Sequence, residues 1–220
     1  MMRAYATVTG TRRNLRVMLA HGWRLIFTPD SSSSNIRTVL GMGFRYAVDN
    51  GAWGSHSRGE AWEGGPFLDT LQAYGADADW VVLPDIVEGG LESLARSTEW
   101  AAPVLEVAKE ALIPVQDGMA PWDVAPLLAT DNRLGIFVGG STEWKLASMP
   151  WWGRIARRYG RTMHVGRVNS IRRIQACLSA GADSFDGTSV TRYAKNINVL
   201  DTPRRQATMW ETLDQWDATA

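Results

Sequence analysis

The chain is poor in the residues that bind metals or form cross-links. Among its 220 residues there is one cysteine, Cys177, and the three histidines, His21, His56 and His164, lie far apart in the sequence. One cysteine excludes an internal disulfide framework and a Cys-rich zinc site. Scattered histidines argue against a His-based metal centre. We therefore predict no bound metal and no cofactor.

Long apolar segments and a net charge are also lacking. No uncharged stretch approaches the roughly 18 to 20 residues of a membrane helix, and the first residues lack the apolar core of a secretion signal. The 23 basic and 23 acidic side chains cancel, and the mean hydropathy is −0.19. These features are typical of a soluble globular protein. We expect a cytoplasmic protein without membrane contact, folded as one domain over residues 1–220. The sequence does not decide whether the protein forms a homodimer or binds a partner protein.

The charges are unevenly distributed along the chain. Residues 1–58 carry eight basic and two acidic side chains, residues 59–150 carry four and fifteen, and residues 151–220 carry eleven and six. In a closed barrel the first and last segments are neighbours, so the two basic segments would form one positive side. Such a side is typical of an anion or nucleic-acid surface, although a scattered, solvated surface explains the counts equally well.

Short apolar runs alternate with segments of helical period. Continuous apolar strands such as residues 80–83 indicate burial on both faces, as in parallel sheets under helices. Eight such pairs predict an α/β protein, a compact (β/α)8 TIM barrel. The predicted strands are Ala4–Thr9, Arg24–Pro29, Arg45–Val48, Trp80–Pro84, Ile113–Gln116, Leu134–Val138, Thr162–Val165 and Asp183–Phe185. The predicted helices are Arg12–His21, Asn35–Met42, Pro66–Tyr74, Leu91–Ala111, Pro121–Ala129, Met149–Tyr159, Ser170–Ala180 and Pro203–Trp216.

Polar residues recur directly after the predicted strands, where the active sites of such barrels lie. Any one aspartate could cap a helix or a turn, and a Gly-Gly pair could serve only a tight turn. Their recurrence at strand ends favours a polar pocket, with Trp53 as an aromatic wall on which a planar ligand could stack. The residues are Asp49, Asp85, Gln116, Asp117, Gly139, Gly140 and Asp186.

Several of these segments resemble the tRNA-guanine (queuine) transglycosylases. Residues 48–53 (Val-Asp-Asn-Gly-Ala-Trp) are similar to that family's Asp-Ser-Gly-Gly-aromatic motif, residues 115–118 to its Val-Gln-Gly-Gly, and residues 138–140 to its Val-Gly-Gly. The strongest similarity is Val165-Gly166 followed by residues 181–186 (Gly-Ala-Asp-Ser-Phe-Asp) and by Thr191-Arg192. The motifs keep the family's order over about two thirds of the chain.

The resemblance implies a glycosyltransferase that exchanges a base at C1′ of a guanine nucleotide. It implies that Asp186 is the nucleophile that forms a covalent glycosyl–enzyme and that Asp49 handles protons on the two bases. It further implies that the purine is recognised by Asp85, Gln116, Gly139 and Gly140 and stacks between Trp53 and a second wall near Met163 or Val165.

The sequence departs from the family's tRNA enzymes in several respects: it has Gly51-Ala52 where the motif has Gly-Gly, and we identify no accessory RNA-binding domain in it. Those enzymes carry a zinc site of three Cys and one His after the nucleophile, and no Cys or His follows Asp186 here. The chain is therefore more similar to relatives, many of them phage-borne, that insert 7-deazaguanine bases such as preQ0 into DNA. We expect DNA as the partner polymer, with a tRNA-guanine transglycosylase-like enzyme as the alternative. The phosphate contacts are expected from Arg167, Arg192 and Lys195, in the host cytoplasm if a phage encodes the chain.

Two other classes of protein fit the same residues. A small metabolic barrel, an isomerase or a lyase, could use the acidic mouth with a phosphate at Gly139-Gly140, although no phosphate-loop spacing supports this. A binding module could retain the barrel without turnover, but the presence of both Asp49 and Asp186 argues against it.

Overall fold

The structure is a computed structural model that describes residues 1–193 and 195–204, in which eight strands alternate with helices. The strands are β1 (Arg3–Thr7), β2 (Arg24–Phe27), β3 (Tyr46–Val48), β4 (Val81–Val82), β5 (Ala111–Val115), β6 (Leu134–Val138), β7 (Met163–Val165) and β8 (Ser184–Asp186). They run parallel in chain order, and β1 pairs with β8 to close the barrel. The predicted (β/α)8 fold is confirmed.

Helices cover the outside of the barrel. They are α1 (Arg12–Ala20), α2 (Ser33–Gly41), α3 (Ala52–Arg58), α4 (Gly64–Tyr74), α5 (Leu91–Leu105), α6 (Pro121–Thr130), α7 (Thr142–Tyr159), α8 (Ile171–Ala180) and α9 (Ser189–Arg192). Residues 196–204 are also helical. None of the helices in the described part of the chain is long and apolar enough to cross a membrane.

Some predicted boundaries were wrong. The helix predicted to reach Ala111 ends at Leu105. The prediction ran too far because residues 106–110 contain no Gly or Pro to mark the turn before β5. Helix α7 begins seven residues before the predicted Met149, with Ser141 as its N-cap and Pro150 inside it. Helix α3 was not predicted, since its glycine and serines give no apolar stripe. The predicted helix Pro203–Trp216 lies outside the described residues beyond residue 204.

Alternation along the strands separates two apolar layers and positions the site. Outward side chains pack under the helices, whereas the barrel interior is filled by Tyr5, Ile26, Ala47, Trp80, Val82, Leu112 and Phe137. Because side chains alternate in a strand, the same period turns Asp49, Gln116 and Asp186 inward at the carboxyl ends of β3, β5 and β8. We call this end of the barrel the mouth.

Candidate active site

Asp49 is a buried carboxyl group of the mouth, and the charges of Asp85 and Asp186 act on it. Its Oδ1 accepts a hydrogen bond of 2.8 Å from the backbone N–H of Gly51. Burial raises the pKa of Asp49 to about 7; the Gly51 hydrogen bond opposes this, and the nearby charges of Asp85 and Asp186 add to it. A carboxyl group with this pKa can both donate and accept a proton near neutrality. In the described ranges no group of three His, Cys, Asp or Glu side chains is placed to bind a metal ion.

Asp85 is held next to Asp49 by Asn50. The Asn50 side-chain amide donates to Asp85 Oδ1 over 2.8 Å and to the Leu83 carbonyl over 2.6 Å, which ties the loops after β3 and β4 together. Burial raises the pKa of Asp85 to about 6, against the opposing effects of the Asn50 hydrogen bond and the charge of Arg96. Asn50 is a site residue that sequence reasoning passed over, although it lies inside the motif at residues 48–53.

Asp186 is fixed from the neighbouring strand and open on one side. Its Oδ1 accepts from the backbone N–H of Arg167 over 3.0 Å, and its Oδ2 lies 3.1 Å from Nε2 of His164. The side chain remains 15% exposed toward the mouth. A carboxylate that is held by two partners and still accessible is suited to attack a bound substrate.

Trp53, which we predicted as an aromatic wall, has a half-exposed indole beside the loop after β3. It lies in the first turn of α3, two residues after Gly51, whose φ of 78° is a conformation that favours glycine. The indole is 49% exposed, and the guanidinium carbon of Arg167 lies 4.2 Å from the ring centroid. Arg167 also donates to the Gly140 carbonyl. A planar cation therefore covers the face on which we predicted a base to stack.

Gln116 makes different contacts from those predicted. Its Oε1 accepts from the backbone N–H of Glu88 over 2.7 Å, and its Nε2 donates to the carbonyl of Ile86 over 2.8 Å. The side chain is buried, and both of its polar ends hold the loop that carries Asp85. In this conformation Gln116 holds the backbone of the loop after β4 through both ends of its amide.

Asp117 occupies the place where a phosphate would bind. Its two oxygens accept from the backbone N–H and from Oγ of Ser141, each over 2.7 Å, at the start of α7. Gly139 precedes this turn, and Gly140 has a φ of 72°, where an added Cβ would lie 2.6 Å from Asp117 Oδ2. The Gly-Gly pair thus makes room for a carboxylate that already caps the helix N-terminus.

Met163 does not reach the mouth. It is the first residue of β7, its side chain is fully buried, and it packs in the layer between strands and helices, as Val165 does. The prediction of a second stacking wall at Met163 or Val165 was wrong, because both side chains point away from the barrel interior. His164 is the β7 residue that points inward.

Lys145 is a buried cation that sequence reasoning missed. It lies in the first turns of α7, is 5% exposed, and donates from Nζ to the Gly166 carbonyl over 2.5 Å. Burial and the positive charge of Arg167 lower the pKa of Lys145 to about 8, and Asp186 opposes this. Its position on a helix gave no sign of this role, since a lysine there is ordinarily solvated.

The basic residues of the two chain ends meet beside the mouth. Pairing of β1 with β8 brings the start of α1, with exposed Arg12 and Arg13, next to the segment after β8 that carries exposed Arg192 and Lys195. The expected neighbourhood of the basic segments is therefore present at the mouth. Arg167 differs from these exposed residues, since its guanidinium contacts the Trp53 ring and the Gly140 carbonyl.

A cleft of about 430 Å³ adjoins this site. It lies beside the loop after β3 and is lined by Asn50, Gly51, Trp62 and the ion pair of Arg58 with Asp30, among others. Asp49, Asp85 and Asp186 lie outside its lining. The cleft adds open space next to Asp49, large enough for groups attached to a ligand in the mouth.

Comparisons with known proteins identify the fold and no family. No family model matches the chain, and no curated protein matches it. The structure is similar to that of an HpcH/HpaI aldolase from Desulfitobacterium hafniense, with a TM-score of 0.57 and 13% identity over 90% of this chain and 92% of that one. It is also similar to a dihydropteroate synthase from Thermus thermophilus, with a TM-score of 0.56 and 17% identity over 96% and 94% of the two chains. Both are enzymes, and at these identities the similarity establishes the barrel fold alone.

Proposed function

We propose that the chain is a base-exchange transglycosylase that replaces guanine in DNA with a 7-deazaguanine such as preQ0. The observation that carries the proposal is the pair of Asp49 and Asp186. One is desolvated and titrates near neutrality, and the other is held by two partners and open to the mouth. Carboxylates whose environments differ in this way are suited to divide acid–base and nucleophilic roles. The motif resemblance at residues 48–53 and 181–186 supports the same assignment.

The reaction follows from these two roles. Asp186 attacks C1′ as the bond from C1′ to the guanine nitrogen breaks, and the oxocarbenium-like transition state is stabilised by the carboxylate. The electron pair of the broken bond stays on guanine, which takes a proton from Asp49. The incoming 7-deazaguanine then returns a proton to Asp49 and attacks C1′, and Asp186 leaves as a carboxylate. Guanine and the 7-deazaguanine are exchanged with no net change in protons.

Asp85 and Trp53 supply recognition of the base in this proposal. A carboxylate at Asp85 accepts from the N1–H and the 2-amino group of guanine, which 7-deazaguanines share, through charge-assisted hydrogen bonds. The ring stacks on Trp53 once Arg167 moves off its face. A base inside a duplex cannot reach this mouth, so it must be flipped out or unpaired.

We expect Trp53→Ala to weaken binding of the free base by about 1–3 kcal/mol, the range for one stacked base. The measurement is the dissociation constant for preQ0 by calorimetry. Trp122→Ala is the matched control, since Trp122 is 76% exposed at the start of α6, outside the segments that carry Asp49, Asp85 and Asp186. Equal losses in both variants would contradict the stacking role.

The basic residues beside the mouth are expected to contact DNA phosphates. If Arg192 and Lys195 each bind one phosphate, Arg192→Ala and Lys195→Ala should each flatten the log–log salt dependence of DNA binding by about 0.7 to 0.9 units. The measurement is a titration with labelled DNA across a salt series. Arg158→Ala is the control, because this exposed arginine lies in the last turn of α7, at the opposite end of the barrel. Unchanged slopes in both test variants would remove these residues from the interface.

The experiment that tests the proposal follows labelled guanine into DNA and into tRNA side by side. Incorporation into DNA supports the proposal. Incorporation confined to tRNA would assign the chain to the tRNA reaction, and incorporation into neither would contradict a transglycosylase.

A second candidate is a small metabolic barrel lyase or isomerase. The names of the two similar structures, an aldolase and a synthase, fit this class better than they fit a transglycosylase. The site argues against a phosphorylated substrate at Gly139-Gly140, because the Asp117 carboxylate already binds the N-terminus of α7 there. Binding of inorganic phosphate to the wild-type protein at this turn would favour the second candidate.

A further inference from the structure

A buried chain of three side chains ends on Asp186. Oγ of Ser184 lies 2.8 Å from Nδ1 of His164, and Nε2 of His164 lies 3.1 Å from Oδ2 of Asp186. Ser184 and His164 are fully buried and face each other in the pairing of β7 with β8. The chain therefore runs from the barrel interior to the one carboxylate that we assign as nucleophile.

The surroundings of His164 favour its neutral form. The imidazole packs among the rings of Tyr5, Trp80 and Phe137, with ring centroids 5.6, 4.6 and 5.0 Å away. Burial lowers the pKa of His164, and the charges of Arg3 and Lys145 act in the same direction. The contact with Asp186 opposes them. A neutral imidazole has one N–H and one acceptor nitrogen.

Only one neutral tautomer satisfies both neighbours. A carboxylate can only accept a hydrogen bond, so the N–H must lie on Nε2 and point at Asp186. Nδ1 is then an acceptor, and the hydroxyl of Ser184 can donate to it. The opposite tautomer would place a lone pair of Nε2 against a lone pair of Asp186, at a cost that a buried site cannot relieve with water.

We infer that His164 is a positioning residue for Asp186, held by Ser184 in the Nε2–H tautomer. The inference rests on the proposed function for the identity of the reaction. Together with the backbone N–H of Arg167, His164 fixes both oxygens of the carboxylate relative to β7. The carboxylate is thereby aimed at the mouth before a substrate binds.

The hydrogen bond from His164 to Asp186 also affects formation and decay of the glycosyl–enzyme differently. A free carboxylate accepts a stronger hydrogen bond than the ester of the glycosyl–enzyme does. His164 therefore stabilises Asp186 as the leaving group when the incoming base attacks C1′. Loss of its N–H should slow decay of the covalent intermediate about ten- to a hundredfold, the range for one hydrogen bond to a charged group.

The first test needs no activity. Nitrogen-15 NMR of the wild-type protein should show His164 as the neutral Nε2–H tautomer at neutral pH. An imidazolium or the Nδ1–H tautomer at neutral pH would overturn the inference. Ser184→Ala should weaken the preference for one tautomer, whereas Ser148→Ala should leave it unchanged, because the buried hydroxyl of Ser148 has no hydrogen-bond partner among the described residues.

The second test follows the intermediate. His164→Phe keeps a ring among the neighbouring aromatics and removes the donor, and His164→Gln retains a side-chain N–H that can face Asp186. We expect slow decay and accumulation of the DNA adduct with Phe and near wild-type decay with Gln. Wild-type decay in His164→Phe would overturn the inference. If the wild-type protein forms no adduct, the proposed function fails, and the NMR result alone decides the role of His164.

Discussion

Asp186→Asn is expected to abolish base exchange while the barrel stays folded. The amide is a very poor nucleophile, so no covalent glycosyl–enzyme can form, and loss of a residue that defines the route costs about 10⁴-fold or more. Its carbonyl oxygen can still accept from the backbone N–H of Arg167 in place of Oδ1. The measurement is the rate of labelled guanine exchange, with thermal unfolding as the control for folding.

The covalent adduct separates this role from a purely structural one. The wild-type protein should yield a denaturation-resistant complex with guanine-containing DNA, and Asp186→Asn should yield none at equal DNA binding. Exchange by Asp186→Asn at the wild-type rate would remove Asp186 from the nucleophile position.

Asp49→Asn is expected to slow exchange by about 10²- to 10⁴-fold, the range for loss of a general acid–base group. Because the pKa of Asp49 is raised to about 7, the wild-type rate should change with pH around neutrality. The residual rate of the variant should lack the inflection near pH 7 and keep only the effect of Asp85, whose pKa is about 6. An unchanged inflection near neutrality in Asp49→Asn would assign it to another group. The variant retains a carbonyl oxygen for the Gly51 N–H.

We expect Asp49→Asn also to raise the free energy of unfolding relative to wild type in a pH-dependent way. The folded state raises the pKa of Asp49 from 3.8 to about 7. Between these values the folded state binds the proton more tightly than the unfolded state, so the free energy of unfolding falls as pH rises. Asp49→Asn removes this loss, and its stability relative to wild type should grow from about pH 4 to about pH 7 in urea unfolding. Asp69→Asn is the control, because Asp69 is exposed on α4. The same pH-dependent gain in the free energy of unfolding in this control would contradict the account.

The barrel could be predicted because its signals are local. Every predicted strand overlaps an observed one, and Leu134–Val138 agrees at both ends. Short continuous apolar runs, and the Gly, Pro and Asp residues that end them, are set by neighbours in the chain. The helix predicted to Ala111 failed because nothing in residues 106–110 breaks a helical pattern.

Site residues could be predicted from the sequence only where a single strand end determines their position. Asp49 directly follows β3, Asp186 is the last residue of β8, and Asp85 lies three residues after β4. The contacts of Gln116 with Ile86 and Glu88 depend on the conformation of another loop, and those of His164 on the register of β7 against β8. Such contacts join segments that the sequence alone does not pair.

Nucleoside mass spectrometry of the DNA after reaction tests the central claim most directly. DNA incubated with the wild-type protein and preQ0, then digested to nucleosides, should contain the 7-deazaguanine deoxynucleoside, with one free guanine released for each one formed. Asp186→Asn should produce neither product. Unmodified DNA and no released guanine, from a folded wild-type protein that binds the same DNA, would contradict the account.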